Sequence, residues 1–176
     1  MKSVNYEMKN HIATITINRP EARNAVNPEV AVRLFEAFQE VENNPDIRVA
    51  IITATGDKAF CAGGDLAQLI PLMTRTRQPE NEWDERYLNE VSKKAMYLVN
   101  KDPGKPVIAA INGHAIAGGM EFVQGTDIRV SVPTARFGVQ EVKHALFPAG
   151  GSTVKLPKQM HFAKAMELLL TGDLIT

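Results

Sequence analysis

The chain has 176 residues, of which 44% are apolar and 23% are charged, and this composition is typical of a single globular domain with a substantial core. Its 20 Lys and Arg residues balance 20 Asp and Glu residues, so a polyanionic nucleic-acid partner is disfavoured. The single cysteine, Cys61, excludes an internal disulfide, and neither a membrane-length apolar run nor a signal peptide is present. We therefore expect a cytoplasmic protein that binds neither nucleic acid nor membrane.

The N-terminal part of the chain predicts a strand, a helix and a second strand. Residues His11–Asn18 are β-branched and alternate in polarity, as in a strand. Asn27 and Pro28 form a helix start, and apolar residues then recur at helical spacing as far as Asn43. The nearly continuous apolar run Arg48–Ala54 predicts a strand that is buried on both faces.

The remainder of the chain continues to alternate helices and strands. Ala67–Lys101 is long, charged and mostly helical in pattern. Pro106–Asn112 and Asp127–Val132 are predicted strands, with a helix opening at Gly118–Gln124 between them. Ser152–Leu170 is a further helical region. This alternation predicts an α/β fold with a largely parallel sheet.

Two glycine-bearing stretches are candidates for presenting backbone N–H groups: Phe60–Leu66 and Asn112–Glu121. A glycine pair turns the chain sharply, and the N-terminus of a helix favours negative charge. Either pair alone is more readily explained as a simple turn between elements, since glycine is the usual turn residue. Taken together, they predict an oxyanion hole of two peptide N–H groups, which suits chemistry that passes through a thioester enolate.

Two glutamates are candidates for the proton-transfer groups of this chemistry. Glu121 falls in the first turn of the predicted helix, where it either complements the helix dipole from solvent or is held near a reacting carbon. Glu141 lies close to Lys143, and a glutamate beside a lysine is commonly a solvated surface charge. Spacing along the chain does not show whether the two carboxyl groups meet.

Five sequence blocks occur in a recognisable order: PEARNAV (Pro20–Val26), KAFCAGGDL (Lys58–Leu66), PVIAAINGHAIAGGMEF (Pro106–Phe122), DIRVSVPTARFGVQEV (Asp127–Val142) and LLLTGDLIT (Leu168–Thr176). With these blocks the chain resembles the crotonase, or enoyl-CoA hydratase/isomerase, superfamily over essentially its whole length. The resemblance implies a spiral of ββα units with a largely parallel sheet. It also implies that residues 1–176 form the core domain without the C-terminal helical trimerisation region that members usually have.

The resemblance also assigns roles to residues of this chain. It implies that the N–H groups of Gly64 and Gly118 form the oxyanion hole and that Glu121 and Glu141 are the catalytic carboxylates, with the acid and base roles left open. The expected contacts to coenzyme A are Ala22, Arg23, Asn24, Ala62, Gly64, Asp65, Leu66, Ala67 and Gly119.

The implied activity is the reversible addition of water to the C2=C3 bond of a 2-enoyl-CoA thioester, because both glutamates are present. Alternatives are an isomerase, dehydratase or decarboxylase of the same family, or a non-catalytic acyl-CoA-binding subunit. Coenzyme A is part of the substrate, so no separate cofactor is expected, and the histidines show no metal-ligand spacing. The resemblance implies a homotrimer or hexamer if the C-terminal region is present. Trp83 and Met73 either line an acyl pocket or pack between helices.

Overall fold

The computed structural model of the chain describes residues 2–94 and 96–176. Its strands are β1 (Val4–Lys9), β2 (Ile12–Ile17), β3 (Val49–Ala54), β4 (Ala59–Cys61), β5 (Val107–Ile111), β6 (His114–Ile116), β7 (Ile128–Ser131) and β8 (Phe137–Gly138). Its α-helices are α1 (Pro28–Asn43), α2 (Leu69–Met73), α3 (Glu82–Arg86), α4 (Gly118–Gln124), α5 (Ser152–Gln159) and α6 (Phe162–Thr171). Short 3₁₀ segments cover Pro20–Ala22 and Glu141–His144, and a π-helical turn covers Tyr87–Val91.

The larger sheet has five strands in the order β1-β2-β3-β5-β7. β1 and β2 pair antiparallel, whereas the other neighbours are parallel. This arrangement confirms the predicted α/β class with a mostly parallel sheet. β3 is buried on one face only, since Ala50, Ile52 and Ala54 are buried and the residues between them are partly exposed. The prediction that both faces of this strand are buried is therefore wrong.

The core lies between the larger sheet and helix α1. The side chain of Asn27 accepts a hydrogen bond from Val30 N at 2.9 Å and so caps α1, with Pro28 at the first helical position. The apolar positions predicted from helical spacing are all buried; they are Val30, Leu34, Phe35, Phe38 and Val41. The amphipathic pattern thus predicted the buried face of this helix correctly.

A second, smaller sheet contains β4, β6 and β8, all parallel. It is absent from the sequence-based prediction, because strands of two or three residues are too short to show a period of two. Each predicted catalytic position nevertheless follows one of its three strands along the chain, as described below.

The long middle segment forms α2, α3 and the π-helical turn, with Tyr87 and Val91 buried against the core. Trp83 is partly buried beneath the guanidinium groups of Arg33 and Arg86, whose central carbons lie 4.6 and 5.5 Å from the ring centre. The structure therefore supports the interpretation that Trp83 packs between helices. Among residues 2–94 and 96–176, no helix has both the length and the apolar character to cross a membrane.

Candidate active site

The carboxyl ends of the three short parallel strands meet at one edge of the smaller sheet. β4 leads into Gly63 and Gly64, β6 leads into Ala117 and helix α4, and β8 leads towards Glu141. Ala115 pairs with both Cys61 and Phe137, so β6 lies between the other two strands. Residues that follow adjacent parallel strands emerge side by side, and for this reason segments distant in sequence converge here.

The turns that carry Gly64 and Gly118 touch each other. Gly63 has a φ of +95°, and a Cβ added there would lie 2.9 Å from Ala117 Cβ and 3.1 Å from Gly118 N. A Cβ at Gly118 would in turn lie 3.7 Å from Gly64 N. Glycine at position 63 is therefore required both by its backbone conformation and by this close approach.

Both predicted donors are available to bind an oxygen atom. The neighbouring N–H groups are used within the protein: Asp65 N donates to Val26 O and Ala117 N donates to Gly138 O, each at 2.8 Å. Among the hydrogen bonds of the described residues, neither Gly64 N–H nor Gly118 N–H is a donor. Gly118 is also the first residue of α4, where the helix dipole favours negative charge.

The Asp65 carboxylate holds the Gly64 turn in place. Its Oδ1 accepts hydrogen bonds from Ala67 N and Gln68 N, both at 3.0 Å. Its Oδ2 accepts from Arg19 Nη1 at 3.1 Å, and the same nitrogen donates to Ala25 O at 2.7 Å. Asp65 and Arg19 therefore fix the turn from both sides, a role that sequence reasoning did not find for Arg19.

The loop at Ala22–Val26 runs beside this turn. Ala62 N donates to Arg23 O at 3.2 Å, and Val26 N donates to Gly63 O at 2.8 Å. Asn24 is 1% exposed, and its Nδ2 donates to the carbonyl oxygens of Thr55 and Ala59. Its polar atoms thus hold the loop together.

The structure brings the residues predicted to bind coenzyme A onto these two adjoining segments and the start of α4. Arg23, Leu66 and Ala67 are exposed, whereas Ala22 and Ala62 are half-buried. Gly119 is buried because α4 packs directly on the carbonyl of Cys61. Arg23, Leu66 and Ala67 are therefore accessible to a ligand, whereas Asn24 and Gly119 are buried and hold the backbone of these segments in place.

Glu121 is 6% exposed and accepts three hydrogen bonds from one segment. Gly150 N donates to Oε2 at 2.9 Å, while Ser152 N and Ser152 Oγ donate to Oε1 at 3.2 and 3.1 Å. Burial raises the pKa of the Glu121 carboxyl, and these hydrogen bonds oppose that effect. The contacts with Gly150 and Ser152 were missed by sequence reasoning, since 29 and 31 residues separate the partners.

Glu141 is 9% exposed and has a different environment. Within the described part of the chain, its Oε2 is buried without a hydrogen-bond partner. The pKa of Glu141 is raised to about 7, mainly by burial and in smaller part by the charge of Glu121. The charge of Glu121 therefore acts on Glu141, so the two carboxyl groups lie within electrostatic reach of each other, a proximity that sequence spacing left open.

Cys61 lies next to the Gly63–Gly64 turn but is not a nucleophile in this structure. Its Sγ accepts a hydrogen bond from Gly63 N at 3.4 Å, and burial raises the pKa of the thiol to about 12. A thiol with such a pKa is protonated at neutral pH and behaves as a small apolar group. The structure thus offers two free peptide N–H groups, among the described residues, and two buried carboxyl groups, a set of groups that is able to bind an oxyanion and to transfer protons.

Comparisons with known proteins show which proteins the chain is similar to. A sequence model of the enoyl-CoA hydratase/isomerase family matches residues 7–176. The chain is 42% identical over 170 residues to enoyl-CoA hydratase EchA19 of Mycobacterium tuberculosis, covering 97% of this chain and 61% of that protein. It is 39% identical over 173 residues to (E)-benzylidenesuccinyl-CoA hydratase of Thauera aromatica, covering 98% of this chain and 64% of that protein.

The fold comparison agrees. The crystal structure of enoyl-CoA hydratase EchA1 from Mycobacterium marinum superposes with a TM-score of 0.85 and 35% identity, covering 100% of this chain and 64% of that one. The chain thus spans 61–64% of the length of these similar proteins.

Proposed function

The chain belongs to the enoyl-CoA hydratase/isomerase family, and on that basis we propose that it adds water reversibly across the C2=C3 bond of a 2-enoyl-CoA thioester. The observation that carries this proposal is that Gly64 and Gly118, whose N–H groups donate no hydrogen bond among the described residues, lie on adjoining turns, while the buried Glu121 and Glu141 interact through their charges. Relatives named as enoyl-CoA hydratases support the same reaction class.

The two N–H groups would bind the thioester oxygen. When the hydroxyl of water bonds to C3, electrons move from the C2=C3 bond to the thioester carbonyl, and the oxygen gains negative charge. Fixed donors that are used by no other group act most strongly on such developing charge, at about 3 kcal/mol for each donor. Gly64 and Gly118 would therefore stabilise the enolate more than the bound substrate.

The different environments of the two glutamates suggest their roles. All three hydrogen bonds to Glu121 are donated to it, and they stabilise its carboxylate form. Glu141 Oε2 receives no such bond, and its pKa of about 7 lets it hold a proton near neutral pH. In hydration, Glu121 would take a proton from the attacking water and Glu141 would deliver one to C2. Dehydration reverses both transfers.

We assign the coenzyme A moiety to the surface formed by Ala22–Asn24 and Gly64–Ala67, where Arg23 is exposed. No cofactor other than the thioester is needed, because Glu121 and Glu141 supply the acid–base groups and the N–H groups of Gly64 and Gly118 supply the oxyanion hole. We also place the protein in the cytoplasm, as its single buried cysteine suits a reducing compartment.

We further propose that the protein is a homo-oligomer, a trimer or hexamer, if the C-terminal helical region is present. Exposed apolar side chains support this assembly, since large apolar patches on a protein surface commonly mark contacts between chains. They include Ile128 and Val130 on the edge strand β7, together with Phe147, Phe162 and Leu170.

Hydration of crotonyl-CoA tests the proposed reaction. We expect the absorbance of the conjugated enoyl thioester to fall when the protein is added. Glu121→Gln and Glu141→Gln should each lower kcat/KM by about 10²- to 10⁴-fold, since each removes one proton-transfer group. Glu85→Gln is the matched control, because Glu85 is exposed on α3 and should leave the rate unchanged.

Two outcomes would contradict hydration. Folded protein that binds an acyl-CoA, as measured by calorimetry, but leaves the absorbance unchanged would indicate a non-catalytic acyl-CoA-binding subunit. An isomerised or decarboxylated product, detected by mass spectrometry, would indicate another activity of the same family.

A further inference from the structure

Ser152 makes two of the three hydrogen bonds that hold Glu121. It is fully buried at the first position of α5, and both its backbone N–H and its hydroxyl donate to Oε1 of Glu121. Its hydroxyl is therefore part of the site although Ser152 lies outside the set of residues predicted from the sequence.

Gln124 determines which way the Ser152 hydroxyl points. Gln124 is 3% exposed and lies three residues after Glu121 on α4. Its Nε2 donates to Ser152 Oγ at 2.9 Å. A serine hydroxyl has one proton to donate, and because Gln124 occupies an acceptor position on Oγ, that proton is directed at Glu121 Oε1.

We infer that Ser152, held by Gln124, is a positioning residue that fixes the Glu121 carboxylate in the orientation that takes the proton of the attacking water. The role assigned to that carboxylate rests on the proposed function, whereas the contacts themselves do not. Ser152 does not touch the substrate in this inference; it acts through Glu121.

The other charged groups that interact with Glu121 are a lysine and a second carboxyl. Lys155, on α5, lowers the pKa of Glu121 by its charge, and Glu121 in turn raises the pKa of Glu141 on the 3₁₀ segment. Arg129 acts on Lys155 in turn. Removal of the Ser152 hydroxyl leaves these charges unchanged and takes away a donor that favours the carboxylate, so the pKa of Glu121 should rise.

Ser152→Ala tests this inference in the 176-residue protein. We expect kcat/KM for crotonyl-CoA to fall about 10- to 100-fold, the range for loss of a hydrogen bond to a charged group. The acidic limb of the pH–rate profile should move to higher pH, because the base must be deprotonated and its pKa has risen. Ser152→Thr, which keeps a hydroxyl, should restore the wild-type acidic limb.

Thr153→Ala is the matched control. Thr153 is the next residue of α5 and is half-buried, and its hydroxyl makes no hydrogen bond among the described residues. Its removal should leave both the rate and the pH profile unchanged.

Gln124→Met supplies an independent test, since it removes the group that orients the hydroxyl but keeps the side-chain volume. It should shift the acidic limb in the same direction by a smaller amount. In the Ser152→Ala background it should cause no further shift, because Gln124 acts through the hydroxyl that is already missing. If the two substitutions shift the acidic limb additively, Gln124 does not act through the Ser152 hydroxyl, and this part of the inference is overturned.

Titration of the Glu121 carboxyl separates this inference from the proposed reaction. NMR of protein labelled with ¹³C at glutamate Cδ follows the titration of each carboxyl, and the Glu121 signal is assigned as the one that is lost in Glu121→Gln. This signal reports the pKa of Glu121 whether or not the protein hydrates an enoyl-CoA. If the pKa of Glu121 rises in Ser152→Ala or Gln124→Met but the wild-type protein shows no hydratase activity, the positioning role is sustained and the proposed reaction is refuted. An unchanged Glu121 titration in both variants would overturn the positioning role.

Discussion

At the scale of single residues, Glu121 and Glu141 show how two identical side chains acquire different properties. Both are buried, and burial raises the pKa of each. Glu121 receives three donors, whereas one oxygen of Glu141 receives none. Separation of the proton affinities of two nearby carboxyl groups is how a site obtains an acid and a base from the same residue type.

Gly150 sets the position of the Glu121 carboxylate, and its replacement should disturb catalysis more than folding. A Cβ at Gly150 would lie 2.2 Å from Glu121 Oε2, so Gly150→Ala must push the carboxylate aside. We expect kcat/KM for crotonyl-CoA to fall about 100-fold, as is typical when a catalytic group is displaced by about 1 Å.

Gly104→Ala is the converse control for Gly150→Ala. No atom lies within 4 Å of a Cβ at Gly104, but its φ of +72° strains an alanine. This variant should lose thermal stability and keep its activity. Full activity in Gly150→Ala would show that the Glu121 position seen here is not required.

At the scale of elements, the smaller sheet and helix α4 form the support of the site. β4, β6 and β8 end at the same edge, and α4 begins where β6 ends. α4 can present its first N–H groups beside the Gly64 turn only if its backbone approaches β4 closely. Gly119 makes this approach possible, because a Cβ there would lie 2.1 Å from the Cys61 carbonyl oxygen.

Gly119→Ala should therefore destabilise the protein, whereas Gly118→Ala should not. The two atoms nearest to the new methyl group at position 119 belong to the backbone of β4 and cannot move aside without shifting the strand. We expect a loss of at least about 2 kcal/mol, typical of overpacking a closely packed site. At Gly118 the nearest atom would be 3.5 Å away, an ordinary contact.

Denaturant unfolding of the two variants side by side measures this difference. Equal free energies of unfolding for Gly118→Ala and Gly119→Ala would contradict the close packing of α4 on β4.

At the scale of the whole molecule, the site reduces stability. A buried carboxyl with one oxygen that lacks a donor, as at Glu141, disfavours the folded state whenever it is ionised. Its pKa is raised from its ordinary value of 4.5 to about 7 by folding. The stabilisation from protonated Glu141 is therefore fully present below pH 4.5 and is lost as the pH rises through about 7, at about 1.4 kcal/mol for each unit of pKa difference.

Glu141→Gln should consequently be more stable than the wild-type protein at high pH, although its kcat/KM should be lower. The difference in Tm between this variant and the wild type should be larger at about pH 8 than at about pH 5, because glutamine does not ionise. Glu85→Gln, which changes an exposed carboxylate, should show no such dependence. A Glu141→Gln difference that is the same at both pH values would indicate that Glu141 ionises normally in the folded protein.

The sequence alone determined the features that repeat along the chain. Alternation in His11–Asn18 and helical spacing after Asn27 predicted β2 and α1, together with their buried faces. The glycine pairs and the two glutamates were identified by their order and by the resemblance of five blocks to a family. Such features are local, since each depends on neighbours within a few residues.

The tertiary structure alone decided which of these residues meet. It brought Glu121 and Glu141 within electrostatic reach of each other, used Asn24 to hold a loop, and placed Ser152 and Gln124 beside the Glu121 carboxylate. The smaller sheet that orders these contacts is built from strands of two or three residues, which are too short to leave a periodic pattern. Contacts between positions about 30 residues apart depend on the packing of whole elements, and that packing is not encoded in any single stretch of the sequence.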